Sequence, residues 1–285
     1  MFSNTSGNNS TAIGYNALYY HAIGTSNTAI GPQALENSTG FQNSAYGSLA
    51  LSNSTTGIYN TAVGAQALWP NQAGDYNTSI GFSSNFSGAN RINSISIGYN
   101  TQTTASYQVR IGSSSVTSIG GYANWTNISD GRAKKNIRAE VPGLSFINLL
   151  HPVTYNLDLD AIDEIQKSDD PKINRFIDSL RLARSPEEKE IFAKAKANKE
   201  KQVYSGFLAQ DVEKAAQSVG YDFSGVDAPV NGNSAYGLRY DEFVVPLVKA
   251  VQELCEKNIR LQEQVNELNV RLYILVNSPN WKTEE

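Results

Sequence analysis

Small and β-branched positions alternate with polar ones in a short block that recurs along the first half of the chain. Its copies are Thr11-Ala12-Ile13-Gly14, Thr28-Ala29-Ile30-Gly31, Ser44-Ala45-Tyr46-Gly47, Thr61-Ala62-Val63-Gly64, Thr78-Ser79-Ile80-Gly81 and Ser96-Ile97-Gly98. The closing glycines are 17, 16, 17, 17 and 17 residues apart. A second glycine stands seven residues upstream in the first five copies, at Gly7, Gly24, Gly40, Gly57 and Gly74, and Arg91 takes that place in the sixth. Alternation of this kind, bounded by Asn, Ser, Thr and Gly, predicts two short strands and two turns per repeat. Such a unit cannot bury an apolar face alone, so the copies must stack into a β-solenoid. Glycine recurs where a turn needs a backbone conformation closed to side chains, or where chains approach closely. The apolar set per coil is thin, Ile13, Ala17 and Leu18 in the first copy, and that thinness favours three chains sharing one axis.

A second periodicity governs the C-terminal end. Leu247, Leu254, Leu261, Leu268 and Leu275 fall at heptad spacing, and Val251, Val265 and Leu272 form the companion row, in which Asn258 is the polar interruption. Four heptads with charged flanks predict a coiled coil over 247–276. A polar residue in such a row fixes register at some cost in stability. Between these regions, 158–202 is rich in charge and alanine. Ser185-Pro186-Glu187-Glu188 combines an N-cap, a proline at the first helical position and a capping-box glutamate, which predicts a helix over 186–197. Ile173, Phe176, Ile177 and Leu180 at helical spacing predict another before it. Charges on such helices read as a solvated face, and no catalytic role is expected there.

Charge sharpens the boundary. Residues 1–128 carry only Glu36, Asp75, Arg91 and Arg110, so the net charge of -4 belongs wholly to the remainder, with 21 basic against 25 acidic residues. At 285 residues the chain has room for two cores. One cysteine, Cys255, excludes an intrachain disulfide framework and reads as a reduced thiol. His21, His151 and Cys255 lie far apart without ligand spacing, so no metal and no cofactor are expected. The opening residues have neither a basic region nor an apolar run, so no signal peptide is expected. No stretch approaches the ~20 apolar residues of a membrane span.

The repeat pattern N-T-A-I-G-x-x-A-L resembles the head repeats of trimeric autotransporter adhesins over about 7–112. The resemblance implies a trimeric left-handed parallel β-roll over 1–112, serving as a stalk or as a binding head; a rigid spacer and a receptor-binding role weigh about equally. Exposed Tyr19, Tyr20, Tyr59 and Tyr76 are candidates for stacking on sugars, although packing is the commoner use of aromatics in a roll. Residues 113–128 read as a neck in which Trp125 anchors the junction.

At the seam stands Ser129-Asp130-Gly131-Arg132-Ala133-Lys134, with Ile137 three residues on. Leu149-Leu150-His151-Pro152-Val153-Thr154-Tyr155, then Gly206-Phe207-Leu208-Ala209-Gln210-Asp211-Val212-Glu213, then Tyr236-Gly237-Leu238-Arg239-Tyr240, and a C-terminal amphipathic helix follow in order. Together they resemble the endosialidase-type intramolecular chaperone domain that ends phage tailspikes and tail fibres. The resemblance implies an α+β chaperone domain over 129–246, with 158–202 inserted, that drives trimerisation and then cuts itself off before the motif serine. Carried over, Ser129 is the nucleophile, Lys134 the general base and Ile128-Ser129 the bond cut. A serine hydroxyl needs a neighbouring base, and lysine serves as one only where burial lowers its pKa. A trimer interface is the expected source of that burial. Asp130 and Arg132 are orienting candidates, with a surface ion pair the plainer reading; Lys135 and Arg138 read as a solvated face. The family commonly has a bulky aliphatic where this chain has Ala133, which predicts a wetter lysine and slower cleavage.

The expected whole is the tip of a trimeric tail fibre on a virion or phage-tail-like particle, made in the cytoplasm. Expected partners are two further copies, a host-surface glycan or protein receptor, and a tail or particle baseplate reached through a part N-terminal to this sequence. The alternative is an adhesin whose trimerisation domain stays attached and never cuts. Arg132, Lys134, Lys135 and Arg138 as a nucleic-acid patch is the weakest reading, because the uncharged roll has nothing with which to grip phosphates.

Overall fold

The computed structural model of the chain describes residues 5–85, 90–168 and 170–277. The first four residues, on which the reading of the N-terminus partly rests, lie outside these. Two compact units emerge. One comprises Met1–Trp125, Tyr155–Tyr204 and Pro229–Ala235; the other comprises Thr126–Thr154, Ser205–Ala228 and Tyr236–Glu285.

The first unit is built on a parallel β-solenoid of about six turns. Its strands are β1 (Thr11–Ile13), β2 (Thr28–Ile30), β3 (Ser44–Tyr46), β4 (Thr61–Val63), β5 (Thr78–Ile80), β6 (Ile95–Ile97) and β7 (Val109–Ile111), each paired with the next in chain order. Register is one coil per step, as in Thr11↔Thr28, Ala12↔Ala29 and Ile13↔Ile30. The seventh strand closes a shortened coil, Ile97 lying opposite Ile111, which the motif search did not find.

Each coil holds one strand, where the alternation predicts two. The reason lies in the G-x-x-A-L half, where Asn16 (φ 57°) and Leu18 (φ 51°), and their counterparts Gln33 and Leu35, Leu49 and Leu51, and Gln66 and Leu68, are left-handed. Backbone of that shape cannot run extended, yet it still ties coil to coil. Leu18 N–H donates to Ala34 O at 3.0 Å, and Leu35 and Leu51 repeat the bond onto Ala50 and Ala67 at 3.0 Å. A left-handed leucine costs about 1–2 kcal/mol. Complete burial of its side chain returns about 1.5–3 kcal/mol, so burial wins.

The solenoid interior is a column of alanines and leucines running from Ala17 and Leu18 to Ala67 and Leu68. Ile13 is not part of it. In β2 to β6 the middle residue points inward, so Ala29, Ala45, Ala62, Ser79 and Ser96 are buried, while Ile13, Tyr46, Val63, Ile80, Ile97 and Ile111 stand 37 to 58% exposed in one outward apolar row. Beyond Leu68 the interior turns polar, with Ser79, Ser84, Ser94, Ser96 and Thr101 buried. Tyr122 and Trp125 in the neck are exposed, so Trp125 anchors nothing within this chain; no regular element lies in 113–128 to cover it.

Buried asparagines form a second column. Asn43, Asn60 and Asn77 N–H each donate to the side-chain oxygen of the asparagine one coil below, at 2.9, 2.9 and 3.0 Å. Asn27, Asn43 and Asn60 Nδ2 donate to Gly40, Gly57 and Gly74 carbonyls at 2.8 Å. Replacing Asn60 by Ala therefore strands the buried Asn77 N–H, at about 1–3 kcal/mol, while Gly74 C=O keeps the bond it accepts from Asn71 Nδ2 at 2.9 Å. The expected loss is roughly 2 kcal/mol, read as a shift of the chemical-denaturation midpoint; a loss below about 1 kcal/mol would show that the column contributes no more than ordinary surface bonds.

The inserted region joins this unit. It contributes α2 (Leu159–Ile165), α3 (Pro171–Leu182) and α4 (Pro186–Glu200), the last with the complete capping box of Ser185 and Glu188. Proline at the first turn and the cap set the start of α4; it runs three residues beyond the sequence expectation. Phe176 of α3 stacks on Trp69 with ring centroids 5.1 Å apart, and Phe192 of α4 meets Tyr99 at 5.6 Å.

The second unit has α1 (Leu144–Ile147), α5 (Ala209–Ser218), a two-strand antiparallel pair β10 (Val226–Asp227) and β11 (Gly237–Leu238), and α6 (Val244–Val276). Short strands β8 (Val153–Tyr155) and β9 (Tyr204–Gly206) pair where the inserted region leaves and returns. Phe146, Val212, Ala215, Ala216, Phe223 and Phe243 form the core. Helix α5 faces it because Ala209, Val212, Ala215 and Ala216 follow helical spacing and are the buried residues of that helix. Glu253 of α6 accepts from Leu144 N–H at 2.8 Å, tying α1 to the long helix. Helix α6 is 33 residues long and exposed at every position from Leu254 to its end.

Candidate functional site

The motif 129–134 folds on itself within a few residues. Asp130 caps a single 3-10 turn, Gly131–Ala133, its side chain accepting from Arg132 N–H at 2.9 Å. Arg132 returns a two-pronged bond, Nε and Nη2 donating to Asp130 Oδ2 at 3.0 and 2.6 Å. This guanidinium, followed by the backbone bond, holds the Asp130 carboxyl below its ordinary value and raises Arg132 in turn. Closing the turn, Lys134 N–H donates to Gly131 O at 3.2 Å. A turn this tight carries the chain back on itself, so the side chains of residues 129 and 134 meet: Lys134 Nζ donates to Ser129 Oγ at 2.9 Å.

Ser129, Asp130, Arg132 and Lys134 are all exposed in the single chain, and Ile128 on the other side of the candidate bond is 91% exposed. The Asp130 and Arg132 pair is thus a surface ion pair, the plainer of its two readings, and it also shapes the turn that joins Ser129 to Lys134. A deprotonated lysine at this distance would accept the hydroxyl proton along the same line. Nucleophile and base within hydrogen-bond reach is the arrangement covalent catalysis needs.

Along α6, Leu247, Val251, Leu254, Leu261, Val265, Leu268, Leu272 and Leu275 are each 45 to 62% exposed, and Asn258 lies exposed in their row. Cys255 is a free thiol at the surface. On the roll, Tyr59 and Tyr76 stack with centroids 5.0 Å apart and planes 9° from parallel. Tyr19 is half-buried, packed edge-on against Tyr20 at 4.7 Å, so of the four tyrosines three present exposed rings. Lys135 and Arg138 are exposed, as a solvated face requires.

Asp158, Asp160 and Glu200 each place a carboxylate oxygen within 4.8 Å of the others, a grouping that the scan of His and Cys missed. Its oxygens are already engaged. Lys196 pairs with Asp160 and lies 3.8 Å from Glu200, Asp158 caps α2, and Glu200 accepts from Leu159 N–H at 3.2 Å. The asparagine column is the other feature that motif reading passed over. Its signal was the asparagine that opens the N-T-A-I-G-x-x-A-L pattern, before the Thr or Ser of the second to fifth copies: Asn27, Asn43, Asn60 and Asn77.

No helix among the described residues is long and apolar enough to cross a membrane. No family model matches the chain, and no curated protein matches it.

Proposed function

We propose that this chain is the tip of a trimeric fibre of the tail-fibre type, ending in an intramolecular chaperone domain that aligns three copies and then cuts itself free between Ile128 and Ser129. The observation that carries the reading is the 2.9 Å contact of Lys134 Nζ with Ser129 Oγ at the boundary between an almost uncharged solenoid and a charged C-terminal part. Two further features support three copies: the outward apolar row of the roll and the two apolar rows of α6, all left in water by a single chain. Leucine and valine at heptad spacing bury themselves against equivalent helices, each full burial contributing about 1.5–3 kcal/mol.

In the proposed reaction Lys134, as the neutral amine, takes the Ser129 hydroxyl proton while Oγ attacks the Ile128 carbonyl carbon. The C–N bond breaks as its nitrogen takes up a proton, leaving Ile128 esterified to Ser129 Oγ. Water then hydrolyses the ester, giving an Ile128 carboxylate and a chain that begins at Ser129 with its hydroxyl restored. The other protomers supply the burial that keeps the amine neutral, which couples cutting to assembly.

The second reading, an adhesin that keeps its trimerisation domain, draws support from the packing of the inserted helices on the roll. Intact mass measured after full denaturation separates the two. Two fragments meeting between Ile128 and Ser129 are expected; a single full-length mass after long incubation of the folded protein would defeat self-processing and leave the permanent clamp.

A further inference from the structure

The roll changes character where the inserted helices meet it. Its apolar column ends at Leu68; beyond it the buried side chains are mainly serines, threonines and asparagines, Arg91 replaces a stacking glycine, and the last coil is shortened. A solenoid end with a polar interior holds together less well than its middle and needs a cap. The helices supply apolar contact over that stretch. Phe176 stacks on Trp69 just past the end of the column, Phe192 packs on Tyr99 two coils further, and Arg184 lies 3.8 Å over the Phe192 ring while bonding the Tyr99 hydroxyl. At the far end, the nearly buried Lys199 donates from Nζ to Val116 O at 2.9 Å.

We infer that the arm 158–202 is a clasp on the C-terminal coils of the roll, so that cutting the Ile128-Ser129 bond and releasing the C-terminal part are separate events. The cut lies between the roll and the arm in sequence. The arm therefore belongs to the released fragment but packs with the retained one. This rests on the proposed cleavage for its biological use. The clasp itself is a property of the folded chain whether or not the dyad acts.

The test uses the full chain carrying Ser129→Ala, which silences the dyad, with residues 120–124 of the exposed neck replaced by a site-specific protease sequence. After digestion, the two pieces are expected to elute together from a sizing column at neutral pH and to part only in denaturant. Phe176→Leu with Phe192→Leu, which keeps bulk but removes both ring contacts, should speed separation at least about tenfold. Pieces of the unaltered clasp that part at once would overturn the inference. So would a double variant of native circular dichroism that separates no faster. Should that variant misfold, Arg184→Ala, at a half-buried side chain outside both apolar cores, gives the same comparison with a smaller expected gain in rate. Intact mass of wild type decides the cleavage reading independently.

Discussion

Gly64→Ala is expected to abolish the native roll. A Cβ at that position would lie 2.5 Å from the Gly81 carbonyl oxygen and 2.6 Å from its carbon, and the backbone φ is +130°, where side chains are strained whatever the space. Such a conformation costs about 1–3 kcal/mol for a non-glycine residue. Overpacking against rigid backbone adds about 1–3 kcal/mol. The stability of a whole domain is only about 5–15 kcal/mol, and neither coil can shift without displacing the next, since Gly81 meets Gly98 in the same way at 2.5 Å. Loss of soluble assembled protein, or a lowering of Tm by ten degrees or more as an order of magnitude, is the anticipated readout. Gly120→Ala, where an added Cβ meets nothing within 4 Å, is the control and should leave the melt unchanged. A Gly64→Ala protein that melts with wild type would mean the coils are spaced more loosely than the stack requires.

That glycine column explains why the solenoid was legible from sequence. Each Gly of the block meets the next Gly one coil on, so the demand for a missing side chain repeats with the coil, and the period of 17 or 16 is the length of one turn. What the pattern could not disclose is which face of a three-residue strand points inward. Ile13 looked like core because it is the larger apolar residue, yet the narrow interior beside Leu18 and Leu35 accepts only Ala at the strand and turns isoleucine outward. Left-handed leucines were equally hidden, since leucine carries no propensity for that conformation and adopts it only because burial outweighs the strain.

The candidate dyad was legible for a local reason. Five residues separate Ser129 from Lys134, and one 3-10 turn capped by Asp130 suffices to close that span without help from distant parts of the chain. The docking of the arm was not legible. Phe176 and Phe192 lie on helices whose apolar spacing says that some face is covered but not by what, and Trp69 and Tyr99 sit in turns of the roll where aromatic residues follow no period.

Lys134→Arg is expected to stop self-cleavage as completely as Ser129→Ala does. Arginine retains the positive charge and a comparable reach, so it preserves any role Lys134 has as a surface cation. It cannot accept a proton, because a guanidinium stays charged at all accessible pH. General-base assistance is worth about 10²–10⁴-fold, and an unassisted serine hydroxyl is a weak nucleophile. The fraction cut after a day should thus fall from near completion to below detection in both variants, with trimer content by light scattering unchanged, since neither residue belongs to the apolar rows of the roll and of α6 that would join three copies. The contrast between charge and basicity decides the role. If Lys134→Arg cuts at the wild-type rate while Lys134→Ala does not, the side chain acts by charge alone and another group removes the proton. If both cut normally, the 2.9 Å contact is incidental. Asp130→Asn gives the positioning test. It weakens the two-pronged bond to Arg132 without touching the dyad, and should slow cutting by about tenfold or less while its dependence on pH keeps the wild-type shape.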